Sequence, residues 1–450
     1  MDRIINVKTK LIFIKTKTKK NHKYGLTFSL KRLIIFFILF ICLILAYTNI
    51  FVRKKIFPEN IINYNIMSCK NNNNNRNNIT KGLTLETVIK RLIEDEYLRC
   101  PKYILLFDFY NSKYCEDINA YYIFEYYQNH NILNAFYIIN KNSNFYYSLL
   151  AQKKTKNLIP LSESDNIWDV LYPYLLDSLI IVQSYVYHEF QIINDKVHYI
   201  KYLKINHGIR FFKAEILSNM EFIGNNKTKI HTIVSSPYEY NLTQRLYGLP
   251  DKNIHKAGLA RYDRFKKIIN NHKEKECILI SFSYREYNYS IFESYTKKNV
   301  LSLLNDEILI SSLKNNNIDL IFIQHHHDLS RGYIIDNNSF YYARYTSPKY
   351  LGHYIEKCNL LVTDYSSLSF DFMFQNKPTL FYLLDYSEDI SFREKDKIMK
   401  NFPIVDFTKN NTFFEKKTLI NKIQYYINRK FNIENELKNF YENIFFLKQI

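Results

Sequence analysis

The stretch from residue 359 to residue 384, NLLVTDYSSLSFDFMFQNKPTLFYLL, decides the fold. It opens on a short apolar run, passes through Thr363-Asp364-Tyr365-Ser366-Ser367, continues as LSFDFMFQN, and after Lys377-Pro378 enters a second apolar run. Unbroken apolar runs of strand length, bounded by turn residues, mark strands buried on both faces, as in a parallel sheet. The segment between them reads as a helix, so the whole is one strand–helix–strand unit. The same alternation spreads outward. CILISFS (277–283) and DLIFIQ (319–324) precede it with helical patterns between. Further upstream, KYILLFDF (102–109), a helix through AYYIFEYYQNH (120–130), AFYII (135–139) and SLIIVQS (178–184) form an earlier series. The expectation is an α/β protein of two parallel-sheet halves joined near residues 266–276, with no internal repeat of fixed period.

A chain of 450 residues that is 47% apolar can fill more than one core. Its formal charge of +19 has two readings. One is an anionic partner such as membrane lipid or a phosphate-rich substrate. The other is compositional drift, since Lys, Asn, Ile and Tyr are abundant while Gly, Pro and Trp are scarce. No nucleic-acid module is visible, and no nucleic-acid partner is expected. The six cysteines, Cys42, Cys69, Cys100, Cys115, Cys277 and Cys358, show neither a close pair nor metal-ligand spacing with His. A reducing compartment, no structural zinc, and Cys277 and Cys358 as core filling are the corresponding expectations.

Residues 33–52 carry no charge and begin LIIFFILFICLILAY, about the ~20 residues that cross a bilayer. A long basic region precedes them and no small-x-small cleavage site follows, which favours an uncleaved single-pass anchor over a signal peptide. Seven basic residues between Lys15 and Arg32 outnumber Arg53, Lys54 and Lys55 after the span, which favours an internal N terminus and an external main domain. The Asn-rich run 71–78 reads as a flexible tether.

Four polar clusters follow apolar strands, at the edge where open α/β sheets bind ligands. Asn206-His207-Gly208 offers an imidazole beside a glycine, suited to proton exchange at close approach; taken alone it reads as a loop histidine bound to backbone. Tyr284-Arg285 offers a guanidinium that can grip phosphate oxygens in two-pronged fashion, although a lone Arg after a strand is usually a surface residue. His325-His326-His327 follow DLIFIQ. Adjacent strand residues point in alternating directions, so these three do not converge on one metal ion, and His326 is taken as the inward ring, donating to a phosphate. In the fourth cluster, Ser366 and Ser367 sit where a helix begins, with free N–H groups for an anion; an ordinary helix cap describes them equally well.

In order along the chain these residues resemble the CDP-glycerol glycerophosphotransferase family, which builds teichoic-acid-type poly(alditol phosphate) chains. The family pattern is a Trp-His-Gly segment, Ser-Pro, G-x-P-R-x-D, Thr-Trp-Arg, Arg-Pro-His, then ITDYSS, FDF and KP. Here stand Asn206-His207-Gly208, Ser236-Pro237, Gly258-Leu259-Ala260-Arg261-Tyr262-Asp263, Ser283-Tyr284-Arg285, Gln324-His325-His326, VTDYSS ending at Ser367, Phe370-Asp371-Phe372 and Lys377-Pro378. The similarity spans roughly residues 104–407 and departs at Asn206, Ala260, Tyr284 and Gln324, which replace Trp, Pro, Trp and Arg.

The resemblance implies a GT-B-like architecture, two Rossmann-like domains facing across a cleft. Its boundaries would be a basic N terminus and membrane helix (1–52), a linker (53–80), an acceptor-side domain (81–270) and a CDP-donor-side domain with terminal helices (271–450). It implies transfer of glycerol phosphate, or a related alditol phosphate, from a CDP-activated donor to a hydroxyl of a polymer or lipid-linked acceptor at the membrane. The catalytic domain would then lie on the cytoplasmic face, against the charge bias of the flanks. His207 and His326 are the expected catalytic residues, and Arg285, Thr363, Asp364, Ser366 and Ser367 the expected donor-binding residues. Asp364 is expected to orient His326 or the serine hydroxyls, or to cap the helix. Arg261 and Asp263 are read as structural or peripheral, and neither a metal nor a cofactor is expected. Nucleotide-sugar transfer on the same architecture, and a non-catalytic tethered relative, are the competing readings.

Overall fold

The computed structural model describes residues 82–108, 119–131, 134–162, 164–184, 188–206, 208–209, 229–265, 275–283, 292–364, 366–383 and 410–446. The expected membrane anchor and the Asn-rich tether lie outside them. Among the described residues no helix is long and apolar enough to cross a membrane.

The first half runs α1 (Leu85–Glu94), β1 (Tyr103–Phe107), α2 (Asn119–Asn129), β2 (Ala135–Asn140), α3 (Asn144–Ala151) and β3 (Leu158–Leu161). It continues through α4 (Ile167–Leu176), β4 (Ser178–Gln183), α5 (His188–Lys196), β5 (Lys201–Lys204), β6 (Ile230–Val234), α6 (Pro237–Tyr247), β7 (Ile254–Lys256) and α7 (Tyr262–Phe265). The second half runs β8 (Cys277–Ile280), α8 (Lys298–Leu304), α9 (Glu307–Asn315), β9 (Asp319–Phe322), α10 (His326–Ser330), β10 (Arg344–Tyr345) and α11 (Leu351–Lys357). It ends with β11 (Leu360–Thr363), α12 (Leu368–Phe374), β12 (Thr379–Tyr382), β13 (Thr412–Phe413), α13 (Lys416–Asn428) and α14 (Asn435–Ile444).

The strands form two sheets, ordered β3-β2-β1-β4-β5-β6-β7 and β10-β9-β8-β11-β12-β13, and all their pairings are parallel. The sequence reason is visible in the central strands. All four residues of β11 are buried, and the period of two splits the second sheet's side chains between two cores. Ile278, Ile280, Leu360 and Val362 face one core, and Cys277, Leu279 and Leu361 the other. A sheet covered on both faces needs such continuous apolar strands.

Helix starts follow local chemistry. Before α6, Ser236 caps the N–H of Glu239, Pro237 takes the first helical position, and Gly248 ends the helix at φ 55°. The Glu239 carboxylate reaches back to the Ser235 N–H at 2.7 Å, a near relative of the capping box.

Two features tie the halves together. Helix α7 lies in the core of the second half: Tyr262 stacks on Phe374 with ring centroids 4.2 Å apart, and Leu259 and Phe265 share that cluster. In return, beyond α14, the Phe446 N–H donates to the Ser235 carbonyl of the first half.

Cys277 and Cys358 fill the second core as expected, but not as separate thiols. Cys277 and Cys358, 81 residues apart and fully buried, are paired as a disulfide. They meet because β8 and β11 are neighbours, with Ile278 beside Leu360, an adjacency that sequence spacing does not show.

Candidate functional site

In each sheet the strand order reverses once, between β1 and β4 and between β8 and β11. At such a reversal the connections leave in opposite directions and open a crevice at the carboxyl ends. The described residues of the predicted polar clusters fall at and around these two edges.

At the second edge, Thr363 and Asp364 are fully buried. The Thr363 hydroxyl donates to the Ser281 carbonyl at 2.6 Å, stitching β11 to the residue after β8. The Asp364 carboxylate accepts the Ser283 N–H with both oxygens, at 3.1 and 3.0 Å. Both residues, grouped by sequence with the phosphate ligands, therefore hold the chain that leaves β8 toward residue 285. Asp364 thus reaches the backbone just after the neighbouring strand, a contact beyond the cap and the orienting of His326 or the serine hydroxyls expected of it.

Ser366 and Ser367 are partly exposed at the start of α12. The Ser366 Oγ accepts the Leu368 N–H at 3.3 Å, and its carbonyl accepts the Ser369 hydroxyl. Ser367 meets the first half: a Cβ built on Gly208 would lie 2.6 Å from its Oγ and 3.9 Å from Nη2 of Arg261. Only a residue without a side chain lets the two halves approach this closely.

The chain reaching Gly208 is held tightly. Asn206 has φ 41°, a left-handed backbone that Asn tolerates better than most residues. Its carbonyl accepts from Asn119 Nδ2 at 2.7 Å, and its own Nδ2 donates to Glu239 at 3.2 Å. Asn119 also accepts the Arg261 N–H at 3.1 Å. The Arg261 guanidinium grips both oxygens of Asp371 on α12 at 2.8–3.0 Å. Burial pushes the Asp371 carboxyl upward and Arg261 draws it back down.

His207 and Arg285 lie outside the described residues; their described neighbours Asn206, Gly208 and Ser283 are those just placed. His326 is partly exposed at the start of the short helix α10, beyond β9, with its ring stacked on His325 at 4.5 Å. The chain has already left the strand at Phe322, so strand alternation does not set these rings. Gln324, standing where the family pattern has Arg, is buried and spends both ends of its amide on the backbone of Tyr333 and Ile335. Lys377 donates to the carbonyls of Ile355 and Glu356 at the end of α11, and burial draws its amine down to about 7. Among the described residues no group of three His, Cys, Asp or Glu is placed to hold a metal ion.

Sequence reading missed Asn119, Glu239 and the pairing of Arg261 with Asp371. Glu239 had a signal, Ser236-Pro237-x-Glu239 at helix-start spacing. The other two contacts join residues 87 and 110 positions apart and had none.

Comparison with known proteins bears on this geometry. The family model for CDP-Glycerol:Poly(glycerophosphate) glycerophosphotransferase matches residues 97–448. The chain is 27% identical over 240 residues to the teichoic acid glycerol-phosphate primase of Bacillus subtilis (strain 168), covering 49% of this chain and 57% of that protein. It is 24% identical over 263 residues to the minor teichoic acid biosynthesis protein GgaB of the same organism, covering 54% of this chain and 27% of GgaB. The matched region thus spans about a quarter to somewhat over half of these relatives. Among solved structures, the wall teichoic acid polymerase TagF superposes with a TM-score of 0.54 at 14% identity, covering 80% of this chain and 88% of that one, so the two share a fold. Because the family model covers most of its length, the chain belongs to the CDP-glycerol:poly(glycerophosphate) glycerophosphotransferase family.

Proposed function

We propose that the protein transfers glycerol phosphate, or a related alditol phosphate, from a CDP-activated donor to a hydroxyl of a surface polymer or lipid-linked acceptor, releasing CMP. One observation carries the reading: Gly208, next in sequence to His207, seats against Ser367 at the start of α12. TagF, which shares this fold, has also been solved after soaking with CDPG.

In this reading the acceptor oxygen attacks the glycerol-bearing phosphorus, and the bond from that phosphorus to the bridging oxygen breaks. CMP leaves with the bridging oxygen in a single in-line step. His207 takes the hydroxyl proton, a role worth ~10² to 10⁴-fold in general. Arg285, His326, Ser366 and Ser367 bind the pyrophosphate and stabilise charge on the departing CMP. Thr363 and Asp364 act behind them by fixing the exit of β8, two residues before Arg285. Residues 33–52 anchor the protein in the membrane, with the two sheets on the cytoplasmic face, where a CDP-activated donor is held.

The test is turnover of CDP-glycerol, CDP-ribitol and common nucleotide sugars with membranes from the native host, read by leaving group. CMP release supports the proposal; UDP or GDP release replaces it with sugar transfer. The His207→Ala protein should keep its circular dichroism spectrum while losing turnover, and retained turnover removes His207 from the chemistry.

A further inference from the structure

We infer that Arg261 and Asp371 are the positioning pair that sets the carboxyl edges of the two sheets at working distance; the inference rests on the functional reading above. The contacts close a ring. Ser367 leads directly into α12, where Asp371 projects to Arg261. Arg261 passes through its own N–H to Asn119, and Asn119 through its amide to the Asn206 carbonyl. Two residues on, Gly208 returns to Ser367. Each half contributes one wall of the ring, and Arg261 joins them by offering its side chain to one half and its backbone to the other.

The chemistry of the pair suits alignment better than stability. Its side chains are only 12% and 2% exposed, and a buried ion pair gains little over well-packed apolar residues of similar size. What a two-pronged guanidinium–carboxylate contact supplies is direction, since both parallel hydrogen bonds must be satisfied at once. Arg264, on the short helix α7 that follows Arg261, bonds to Tyr122 of the first half and to Gly352 and Glu356 of the second, a second strut beside the first. In the functional reading above the donor is held mainly by the second half, so a small error in the ring misplaces the acceptor side and leaves donor binding largely intact.

The experiment compares Asp371→Asn, Arg261→Lys and the apolar double variant Arg261→Met with Asp371→Leu, all in the full chain. CMP release from CDP-glycerol should show kcat down by roughly ten- to a hundredfold in all three, because displacement by about an ångström is that costly. KM for CDP-glycerol should stay within about twofold. The double variant should melt at or above the wild-type temperature and still keep the kcat loss; recovery of kcat in it would make the pair merely structural and overturn the inference. Hydrogen exchange at the amides of Ile205, Asn206 and Gly208 gives a readout without turnover. It should quicken in Asp371→Asn, and unchanged protection there would overturn the inference even if the wild type released no CMP. In that last case the functional reading would fail separately.

Discussion

Asp108 and Asp364 occupy matching places, each a buried acid directly after a strand that borders a sheet's reversal point, yet they serve different ends. Asp108, after β1, accepts the N–H groups of Ala120 and Tyr121 and the Tyr137 hydroxyl. It docks the start of α2, and burial pushes its carboxyl above the ordinary range. Asp364, after β11, holds the backbone of an outgoing loop at Ser283. One acid fixes a helix to its sheet; the other fixes the backbone just after the neighbouring strand. The same residue at the same structural place docks a helix or ties two neighbouring strands together according to what its N–H partners belong to.

The largest expected effect breaks that comparison on the scaffold side. Asp108→Ala strands two buried N–H groups, each worth about 1–3 kcal/mol, so unfolding free energy in urea should fall by several kcal/mol. The protein that remains folded should release CMP at a rate within about threefold of wild type. A large loss of turnover in that folded fraction would show that both edges serve the reaction. Next, Asp364→Ala should leave the circular dichroism spectrum intact and lower kcat/KM for CMP release by roughly ten- to a hundredfold, the worth of one charge-assisted contact. Per pH unit, the smallest effect sharpens the comparison beneath the second edge, at Lys377. Its folded amine titrates at about 7 against an ordinary 10.5, so between those values the unfolded chain carries the proton and the folded chain does not. Stability should therefore climb as pH rises from 7 to 10.5, by at most about 1.4 kcal/mol per unit, and Lys377→Met should flatten that slope in denaturant titrations.

Much of this architecture is written locally. CILI, LLVT and TLFY announce buried parallel strands because each must be apolar on both faces, and the Ser-Pro-x-Glu run announces α6 through capping chemistry. The contacts that build the site are written across the chain instead. Asp364 reads in sequence as a donor ligand, an orienting group or a helix cap, all suggested by its neighbours along the chain, whereas its partner Ser283 lies 81 residues earlier, just beyond the adjacent strand. Arg261 reads in sequence as structural or peripheral, and which of the two holds is settled only by its distant partners Asn119 and Asp371. The His325-His326-His327 run misleads for a different reason: β9 stops at Phe322, three residues before alternation would have oriented the rings.

The return of the backbone at Phe446 to Ser235 has a consequence for biogenesis. The first sheet is complete in sequence by residue 256, but the patch around Ile230, Val234 and Ile254 receives Phe446 only after the second half has been made. On the ribosome the earlier half must wait for nearly two hundred further residues, so a tag or truncation near residue 446 would be felt first in the lobe farthest away in the order of synthesis.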